Sequence, residues 1–339
     1  MTATSPTLPP SPGTAGSPDP LGPAGAAPGL ERASRGDRVF RLGLLFAALA
    51  IPLLLGFLVY ELWVGAAPAV GRFGLGFVTS STWDPVAGEF GALPLIYGTL
   101  VSSALALLIA VPLSLAVAIY LTEFAPAAIR QPVAQVIGLL AAIPSVVYGL
   151  WGIFVLVPLL RQTLFPFLRD TLGFLPLFSG PIYGPSMLAA GIILAIMVMP
   201  YVMSVSREVL LAVPASQREA ALGLGATRWE AVRHAVLPYA RSGIVGAVIL
   251  GLGRALGETM AVTMVIGNRH AIASSLFAPG YTMSAAIANE FSEAVSDLHL
   301  AALMYVAFAL FVLTVLVNAG ARLLIWRVAR GSGAGSRVL

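Results

Sequence analysis

The stretch FGALPLIYGTLVSSALALLIAVPLSLAVAIYLT runs from Phe90 to Thr122 without a charged side chain. A helix needs about 20 apolar residues to cross the roughly 30 Å of hydrocarbon in a bilayer. Part of this stretch and five others meet that length, and they predict spans at Leu42–Tyr60, Leu95–Leu121, Pro132–Leu160, Ser186–Ser206, Ile244–Gly267 and Leu300–Gly320. The sequence therefore predicts an all-α polytopic membrane protein with six transmembrane helices.

The composition of the 339-residue chain favours the same fold and excludes several kinds of chemistry. Only 10% of the residues are charged, whereas a soluble domain carries about a quarter. The chain has no cysteine, which excludes disulfides, thiolate nucleophiles and cysteine-ligated metals. It also has no lysine, since all 19 basic residues are arginine. A Walker A loop, whose lysine reaches the nucleotide phosphates, is therefore excluded from this chain.

The distribution of the arginines predicts the orientation of the spans. If the N-terminus lies inside, fourteen arginines fall in cytoplasmic segments, and only four fall outside: Arg72, Arg161, Arg169 and Arg269. Both termini are therefore predicted to be cytoplasmic. The same distribution accounts for the net charge of +4, so no nucleic-acid partner is needed to explain it.

Three regions follow from these patterns. Residues 1–38 are rich in Pro, Ser, Gly and Ala and bury too little apolar surface to fold, so they are predicted to be a disordered cytoplasmic tail. A secretory signal is the competing interpretation, and it fails because the first apolar run begins only after Arg41 and is too long. Residues 39–330 form the predicted six-helix domain, and 331–339 form a short C-terminal tail.

The predicted cytoplasmic segment 213–238 reads VPASQREAALGLGATRWEAVRHAVLP and lies between the fourth and fifth spans. Ser216 with Glu219 and Thr227 with Glu230 each match the capping box that begins a helix. Two glycines between these boxes can supply the left-handed residue that ends a helix. The segment is therefore predicted to form a short helix, a glycine turn and a second short helix that stops at the final proline, Pro238.

These short helices carry an apolar surface outside the membrane. It consists of Ala220, Ala221, Leu222, Leu224, Trp229 and Val232. Such a surface indicates that a partner protein docks there. The alternative is an amphipathic loop that lies on the bilayer surface.

The same segment resembles the EAA motif of ABC importer permeases. Glu219, Ala220 and Ala221 match the start of that motif, and Gly225 follows after three residues. The ending Val236-Leu237-Pro238 also matches, although Ala235 stands where the motif usually has isoleucine. The resemblance implies the type I ABC importer permease fold. It also implies a bacterial inner-membrane location and a second, related permease chain alongside this one.

The resemblance gives this loop a role in coupling. In the family it sits in a groove of a separate ATPase subunit, which binds ATP and magnesium, so this chain itself would be non-catalytic and need no cofactor. The residues assigned to coupling on this basis are Glu219, Ala220, Ala221, Gly225, Thr227 and Trp229.

Two ionisable residues, Arg254 and Glu258, interrupt the predicted fifth span. Arg254 lies about 20 Å along the helix from Arg241, near the middle of the bilayer. A charge at that depth costs at least ~2.5 kcal/mol and usually serves a function. Glu258 follows four residues later, so it is predicted to share a helix face with Arg254, close enough for an ion pair. Three glycines leave room around this pair: Gly251, Gly253 and Gly257.

Three interpretations of this pair stand side by side. It forms a structural ion pair between helices, a proton relay, or a binding station for an anion. A relay is disfavoured because arginine does not release protons and no histidine lies within a predicted span. An anion station is favoured by the planar guanidinium, which binds tetrahedral oxyanions through two parallel hydrogen bonds. Glu258 would lower the cost of the empty site and promote release of the anion.

A second resemblance narrows the cargo. The runs GRALGETMAVTMVIGN, Thr79–Ser103 and Ile143–Pro158 resemble phosphate-importer permeases, and the similarity extends from about Leu42 to Arg327. It implies that Arg254 and Glu258 take part in phosphate passage. It also implies two ATPase subunits and a phosphate-binding protein that delivers the cargo from outside. Permeases for sulfate or molybdate, and the second phosphate permease chain, are the alternatives within this class.

Other polar residues within and near the spans are weaker candidates. Ser145 and Tyr148 follow Pro144 in the predicted third span and are expected either to line the solute path or to pack between helices. His234, His270 and His299 are scattered near loops, so a metal site is not expected. An ion-coupled secondary transporter without an ATPase is the rival hypothesis from a different class.

Overall fold

The computed structural model describes residues 35–330, with side chains from 39 to 323. The predicted tails therefore lie largely outside the described residues, although the first helix, α1, begins at Arg35. The chain divides into a unit that ends at Gly56, of which only the first part of α1 is described, and a unit that begins at Phe57. The candidate functional residues discussed below belong to the second unit.

Fourteen α-helices follow one another within the described residues. They are α1 Arg35–Phe73, α2 Gly76–Thr79, α3 Leu93–Ile119, α4 Ala127–Ala142, α5 Ser145–Trp151, α6 Val157–Gln162, α7 Leu164–Leu172, α8 Met187–Leu211, α9 Ala215–Gly223, α10 Arg228–Ala231, α11 Leu237–Gly257, α12 Met260–Val265, α13 Met283–Glu290 and α14 Asp297–Arg330. Three π-helical turns, Tyr120–Phe124, Gly152–Leu156 and Val232–Val236, and a 3-10 turn, Pro176–Phe178, join or extend them.

The predicted number of spans is confirmed. Within residues 35–330, six helical segments are long and apolar enough to cross a membrane: Val39–Phe73, Leu93–Phe124, Ser145–Leu172, Met187–Leu211, Arg228–Gly257 and Asp297–Leu323. The fourth of these, formed by α8, is the central helix, because 67% of its apolar window is buried and no other window exceeds 28%. The remaining spans leave much of their apolar surface open to lipid or to a partner chain.

The helix α8 packs closely against α3 through small residues. Ala106 and Ala110 of α3 and Ala190 of α8 are fully buried. A Cβ atom added to Gly191 of α8 would lie only 2.8 Å from the Cβ of Leu105 in α3. Small side chains at this contact let the two backbones approach, as is usual between membrane helices.

The predicted boundaries of the third span are wrong. The helix α4 ends at Ala142, Ile143 and Pro144 adopt an extended backbone, and a new helix begins at Ser145. Proline disfavours the helical conformation in the residue that precedes it, which explains the break. Beyond it the chain is almost continuously helical to Leu172, so the predicted external segment that starts at Arg161 begins as part of this helix.

The predicted boundaries of the fifth span are also wrong. The span begins at Arg228, sixteen residues before the predicted start, and ends at Gly257. Pro238 does not stop the helix but lies in the first turn of α11. A π-helical turn precedes it, in which the Leu237 amide donates to the Val232 carbonyl, and proline is tolerated at the first turn of a helix.

A short hairpin precedes α3. Its strands, β1 Trp83–Asp84 and β2 Glu89–Phe90, are antiparallel, with Trp83 opposite Phe90. The Asp84 carboxylate accepts hydrogen bonds from the Val86 and Ala87 amides at 2.9 and 3.0 Å, and Gly88 takes the left-handed backbone that the turn requires (φ +67°). This hairpin holds Trp83 in place beside the loops that follow α12 and α13.

Candidate functional site

The helix that carries Arg254 ends just beyond it. Glu258 caps α11 with an extended backbone (φ −70°, ψ 131°), and a separate short helix, α12, begins at Met260. The Ser284 hydroxyl donates to the Glu258 carbonyl at 2.7 Å, which satisfies one of the acceptors that the helix end exposes. The prediction that Glu258 follows Arg254 on one continuous helix face is therefore wrong.

Arg254 has no anionic partner in the described part of the chain. Its guanidinium carbon lies 4.1 Å from the centre of the Tyr201 ring, a cation–π contact with α8. Its Nε atom is buried without a hydrogen-bond partner, and no salt bridge joins Arg254 to Glu258. Glu258 instead accepts one long hydrogen bond, 3.5 Å, from the Ala261 amide. The guanidinium therefore keeps donors that a ligand can use.

Two tyrosines connect this arginine to the break in the third span. Tyr148, in α5, lies close enough to Arg254 and Tyr201 to interact with both electrostatically. The hydroxyls of Tyr148 and Tyr201 donate to the Leu140 and Ala141 carbonyls at 2.9 and 3.0 Å, near the end of α4. The structure thus brings Arg254 and Tyr148 together, at the place where the third span is interrupted.

The remaining predicted residues near the site differ in their surroundings. Ser145 begins α5 one turn before Tyr148 and is partly exposed. Gly251 packs against α8, because an added Cβ would lie 2.6 Å from Val202. Gly253 and Gly257 face open space, with nothing within 4 Å of an added Cβ. Two of the three glycines therefore leave room beside Arg254 rather than mediating a helix contact.

The loop between α8 and α11 contains the predicted short helix, glycine turn and start of a second helix. Thr227 and Glu230 form the predicted capping box, with both reciprocal hydrogen bonds present. Gly225 supplies the predicted left-handed turn (φ +88°). The other predicted box is wrong, because α9 begins after Pro214 and Ser216 lies inside it without capping it. A proline caps the helix start here, and α9 begins at Ala215, two residues before the start that a Ser216 cap predicts.

Most of the apolar residues predicted to form the docking surface are exposed, but Val232 is only 2% exposed, so its assignment to that surface is wrong. Leu222, Leu224 and Trp229 are 47%, 91% and 54% exposed. Glu219 and Ala220 are also exposed, and Ala221 is half-buried. The docking itself stays a prediction.

A cluster of polar side chains that the sequence did not reveal joins the hairpin, the loop after α12, the end of α13 and the first turn of α14. The Glu290 carboxylate, at the end of α13, accepts a hydrogen bond from the Trp83 indole at 2.9 Å. His270 and His299 each place Nε2 within 3.2–3.3 Å of a different oxygen of the same carboxylate. The two imidazoles also stack, His270 on Trp83 and His299 on Phe90. The expectation that the three histidines are scattered is therefore wrong for His270 and His299, whereas His234 lies apart in the π-helical turn Val232–Val236.

The contacts of Glu290 shift its ionisation. Burial on its own would raise the pKa of Glu290, but its contacts with the His270 imidazole, the Trp83 indole and the His299 imidazole outweigh burial and hold the pKa below its ordinary value. Nearby, burial raises the pKa of Tyr281 to about 12 despite a hydrogen bond from Asn289. A cavity of about 750 Å³ opens beside this cluster. The signal for it was absent from the sequence, because its members are spread over more than 200 residues.

These features define the class of protein, a multi-pass helical component of a membrane transporter with broken spans around a partly buried arginine. The family model described as "Binding-protein-dependent transport system inner membrane component" matches residues 110–330. A solved chain of a bacterial alginate ABC transporter, in complex with an alginate-bound periplasmic protein, has the same fold, with a TM-score of 0.58 and 17% identity over 89% of this chain and all of that one.

Curated relatives are similar over most of their length. The phosphate transport system permease protein PstC of Mesorhizobium japonicum is 47% identical over 302 residues, which cover 88% of this chain and 92% of the relative. PstC of Xylella fastidiosa is 47% identical over 308 residues, 89% of this chain and 94% of the relative. The chain belongs to the binding-protein-dependent inner-membrane transport family and, within it, to the PstC permeases. It is therefore a multi-pass inner-membrane protein.

Proposed function

We propose that this chain is the permease subunit of an ATP-driven importer that moves inorganic phosphate into the cytoplasm. The observation that carries the proposal is the Arg254 guanidinium, which is partly buried between broken spans and has no anionic partner in the described chain. An oxyanion with two accessible oxygens fits its free donors. The names of the similar permeases support phosphate as that oxyanion.

The other subunits follow from the same proposal. A PstA-like permease would complete the pathway, because this chain leaves large apolar faces of its spans uncovered. Two PstB-like ATPase subunits would bind ATP and magnesium and dock on the exposed residues of loop 213–238. A PstS-like phosphate-binding protein would deliver the anion on the opposite side. Loop 213–238 and both termini would then lie in the cytoplasm, as the arginine distribution predicts.

The proposed transport cycle uses the residues around Arg254. Binding of ATP moves the loop and switches the spans between outward-open and inward-open states. Arg254 receives the anion at mid-membrane, Ser145 and Tyr148 line the path beside it, and Glu258 competes for Arg254 and promotes release. Because Glu258 lies on an extended link rather than on a helix, a small change in that link brings its carboxylate nearer to Arg254 or farther away.

Reconstitution tests this proposal. The purified complex is placed in liposomes with ATP on the side of the ATPase, and uptake of labelled inorganic phosphate is measured against excess sulfate or molybdate. We expect ATP-dependent uptake that unlabelled phosphate suppresses and the other two anions do not. Suppression by sulfate would reassign the cargo, and uptake driven by an ion gradient without ATP would favour a secondary transporter.

A further inference from the structure

Arg218, in α9, forms a forked ion pair with Glu123. Its Nε donates to both carboxylate oxygens of Glu123 at 3.2 Å, and its Nη2 donates to one of them at 2.9 Å. The two residues are 95 positions apart in the chain. Arg218 directly precedes Glu219 in the loop, whereas Glu123 lies in the π-helical turn that ends the second span.

The same guanidinium also binds the end of the fourth span. Its Nη1 donates to the Val213 carbonyl at 2.7 Å, and its Nη2 donates to the Leu210 carbonyl at 2.8 Å. These carbonyls lie at the C-terminal end of α8, where a positive charge is favourable. One side chain therefore joins the first helix of the loop to the second span and to the central α8.

The pair is suited to holding a position rather than to adding stability. The side chains of Arg218 and Glu123 are only 25% and 12% exposed, so both charges are largely removed from water. Such pairs contribute little net stability relative to apolar residues of the same size, but their forked geometry tolerates little displacement. When α9 moves, the second span and the end of α8, which bind Arg218, are therefore expected to move with it.

Two π-helical turns lie close to the Arg218–Glu123 ion pair. Glu123 belongs to the π-helical turn Tyr120–Phe124, and a second π-helical turn, Val232–Val236, lies across a cavity of about 110 Å³ that the ion pair also lines. Turns of this kind occur frequently at functional sites in helices. The ion pair is thus the polar link between the loop and a locally distorted part of the second span.

We propose that Arg218 and Glu123 are positioning residues that transmit the movement of α9 to the second and fourth spans during transport. This inference rests on the proposed function, because it requires an ATPase that moves the loop. It assigns the mechanical connection to a residue pair outside the EAA positions and outside the anion site.

The test compares coupling in two variants, measured on the complete transporter in liposomes. Glu123→Gln keeps the shape of the side chain and removes its charge, and Arg218→Lys keeps the charge and removes the fork. We expect both variants to assemble with the ATPase normally. The number of ATP molecules hydrolysed per phosphate imported should rise about tenfold, within the usual range of coupling between sites.

Two controls separate this role from a structural one. Glu208→Gln removes the ion pair between Arg207 and Glu208, which are adjacent in sequence and join no separate elements, and it should leave the ratio unchanged. The double variant of Glu123 and Arg218 should be no worse than either single variant, because both act through one contact.

The outcomes are distinguishable. A normal ratio in both single variants, additive effects in the double variant, or loss of assembly in both variants would each overturn the positioning role. A wild-type complex that shows no ATP-dependent phosphate uptake would instead overturn the proposed function itself.

Discussion

Arg218 and Arg254 are two partly buried arginines with opposite surroundings. Arg218 is paired with both oxygens of Glu123 and with two backbone carbonyls. Arg254 contacts the face of Tyr201 and leaves a buried Nε without a hydrogen bond. Leaving such donors unpaired in a dry site is costly. The contrast is that Arg218 uses its donors to connect segments of the fold, whereas Arg254 keeps donors that the proposed anion can use.

Two carboxylates repeat this contrast. Glu290 accepts a hydrogen bond from the Trp83 indole and contacts the imidazoles of His270 and His299, whereas Glu258 accepts only one long hydrogen bond from a backbone amide. Glu290 therefore ties several segments of the loops together. Glu258 stays available to approach Arg254 when the anion leaves.

The largest effect is expected from removing the unsatisfied arginine. Arg254→Ala should lower phosphate uptake about 100-fold, because the hydrogen bonds of a charged donor contribute ~1.5–3 kcal/mol each and tenfold corresponds to ~1.4 kcal/mol. Uptake of labelled phosphate by the reconstituted complex measures this. Arg169→Ala is the matched control, since Arg169 is 48% exposed and pairs only with the adjacent Asp170. If Arg254→Ala takes up phosphate at more than half of the wild-type rate, Arg254 does not bind the anion during transport.

Glu290→Gln tests the satisfied carboxylate and should act on stability rather than transport chemistry. The amide replaces one of the two carboxylate oxygens with a donor, so it cannot keep all the contacts that Glu290 makes with Trp83, His270 and His299. Each buried donor left unpaired costs about 1–3 kcal/mol. We expect the free energy of unfolding to fall by about 2 kcal/mol, measured by thermal unfolding in detergent. Glu89→Gln, an exposed position in the neighbouring hairpin, should leave the unfolding temperature unchanged. If Glu290→Gln and Glu89→Gln have the same unfolding temperature, the role of Glu290 in holding these segments together is contradicted.

A smaller effect, with a defined sign, is expected in how the stability difference between the wild type and Glu290→Gln depends on pH. The contacts of Glu290 lower its pKa from the ordinary 4.5, so the ionised form stabilises the folded state above that pH. This contribution is lost as the pH falls through the lowered pKa. The difference in unfolding free energy between the wild type and Glu290→Gln should therefore shrink when the pH is lowered from 5 to 3. A difference that grows over this interval would mean that protonation of the carboxyl does not break the cluster.

The features that the sequence predicted correctly depend on local patterns. The length of the apolar stretches predicted the number of spans correctly. The spacing of Thr227 and Glu230 predicted a capping box, which the structure contains. The two charges in an apolar stretch singled out Arg254 and Glu258, whose part in anion passage stays a prediction. Each of these signals is contained within one helix or turn.

The features that it missed depend on contacts between distant segments. The helix around Gly257 ends where Ser284 supplies a hydrogen bond to the Glu258 carbonyl, and nothing near Gly257 in the sequence announces that partner. The Glu123–Arg218 pair likewise joins positions far apart in the chain. No local pattern could therefore predict the broken fifth span or this ion pair.

The smallest effect is expected from removing the Tyr201 ring, which contacts the Arg254 guanidinium. Tyr201→Leu removes the cation–π contact, which contributes about 0.5–1 kcal/mol at a partly exposed site and therefore holds the guanidinium only weakly. We expect the KM for phosphate to rise about threefold, since 0.7 kcal/mol is roughly that factor. Tyr201→Phe keeps the ring and loses only the hydrogen bond to the Ala141 carbonyl, so it separates the two contributions. If the phenylalanine variant has the larger defect, the hydroxyl that caps α4 is the more important contact, and the ring does not orient Arg254.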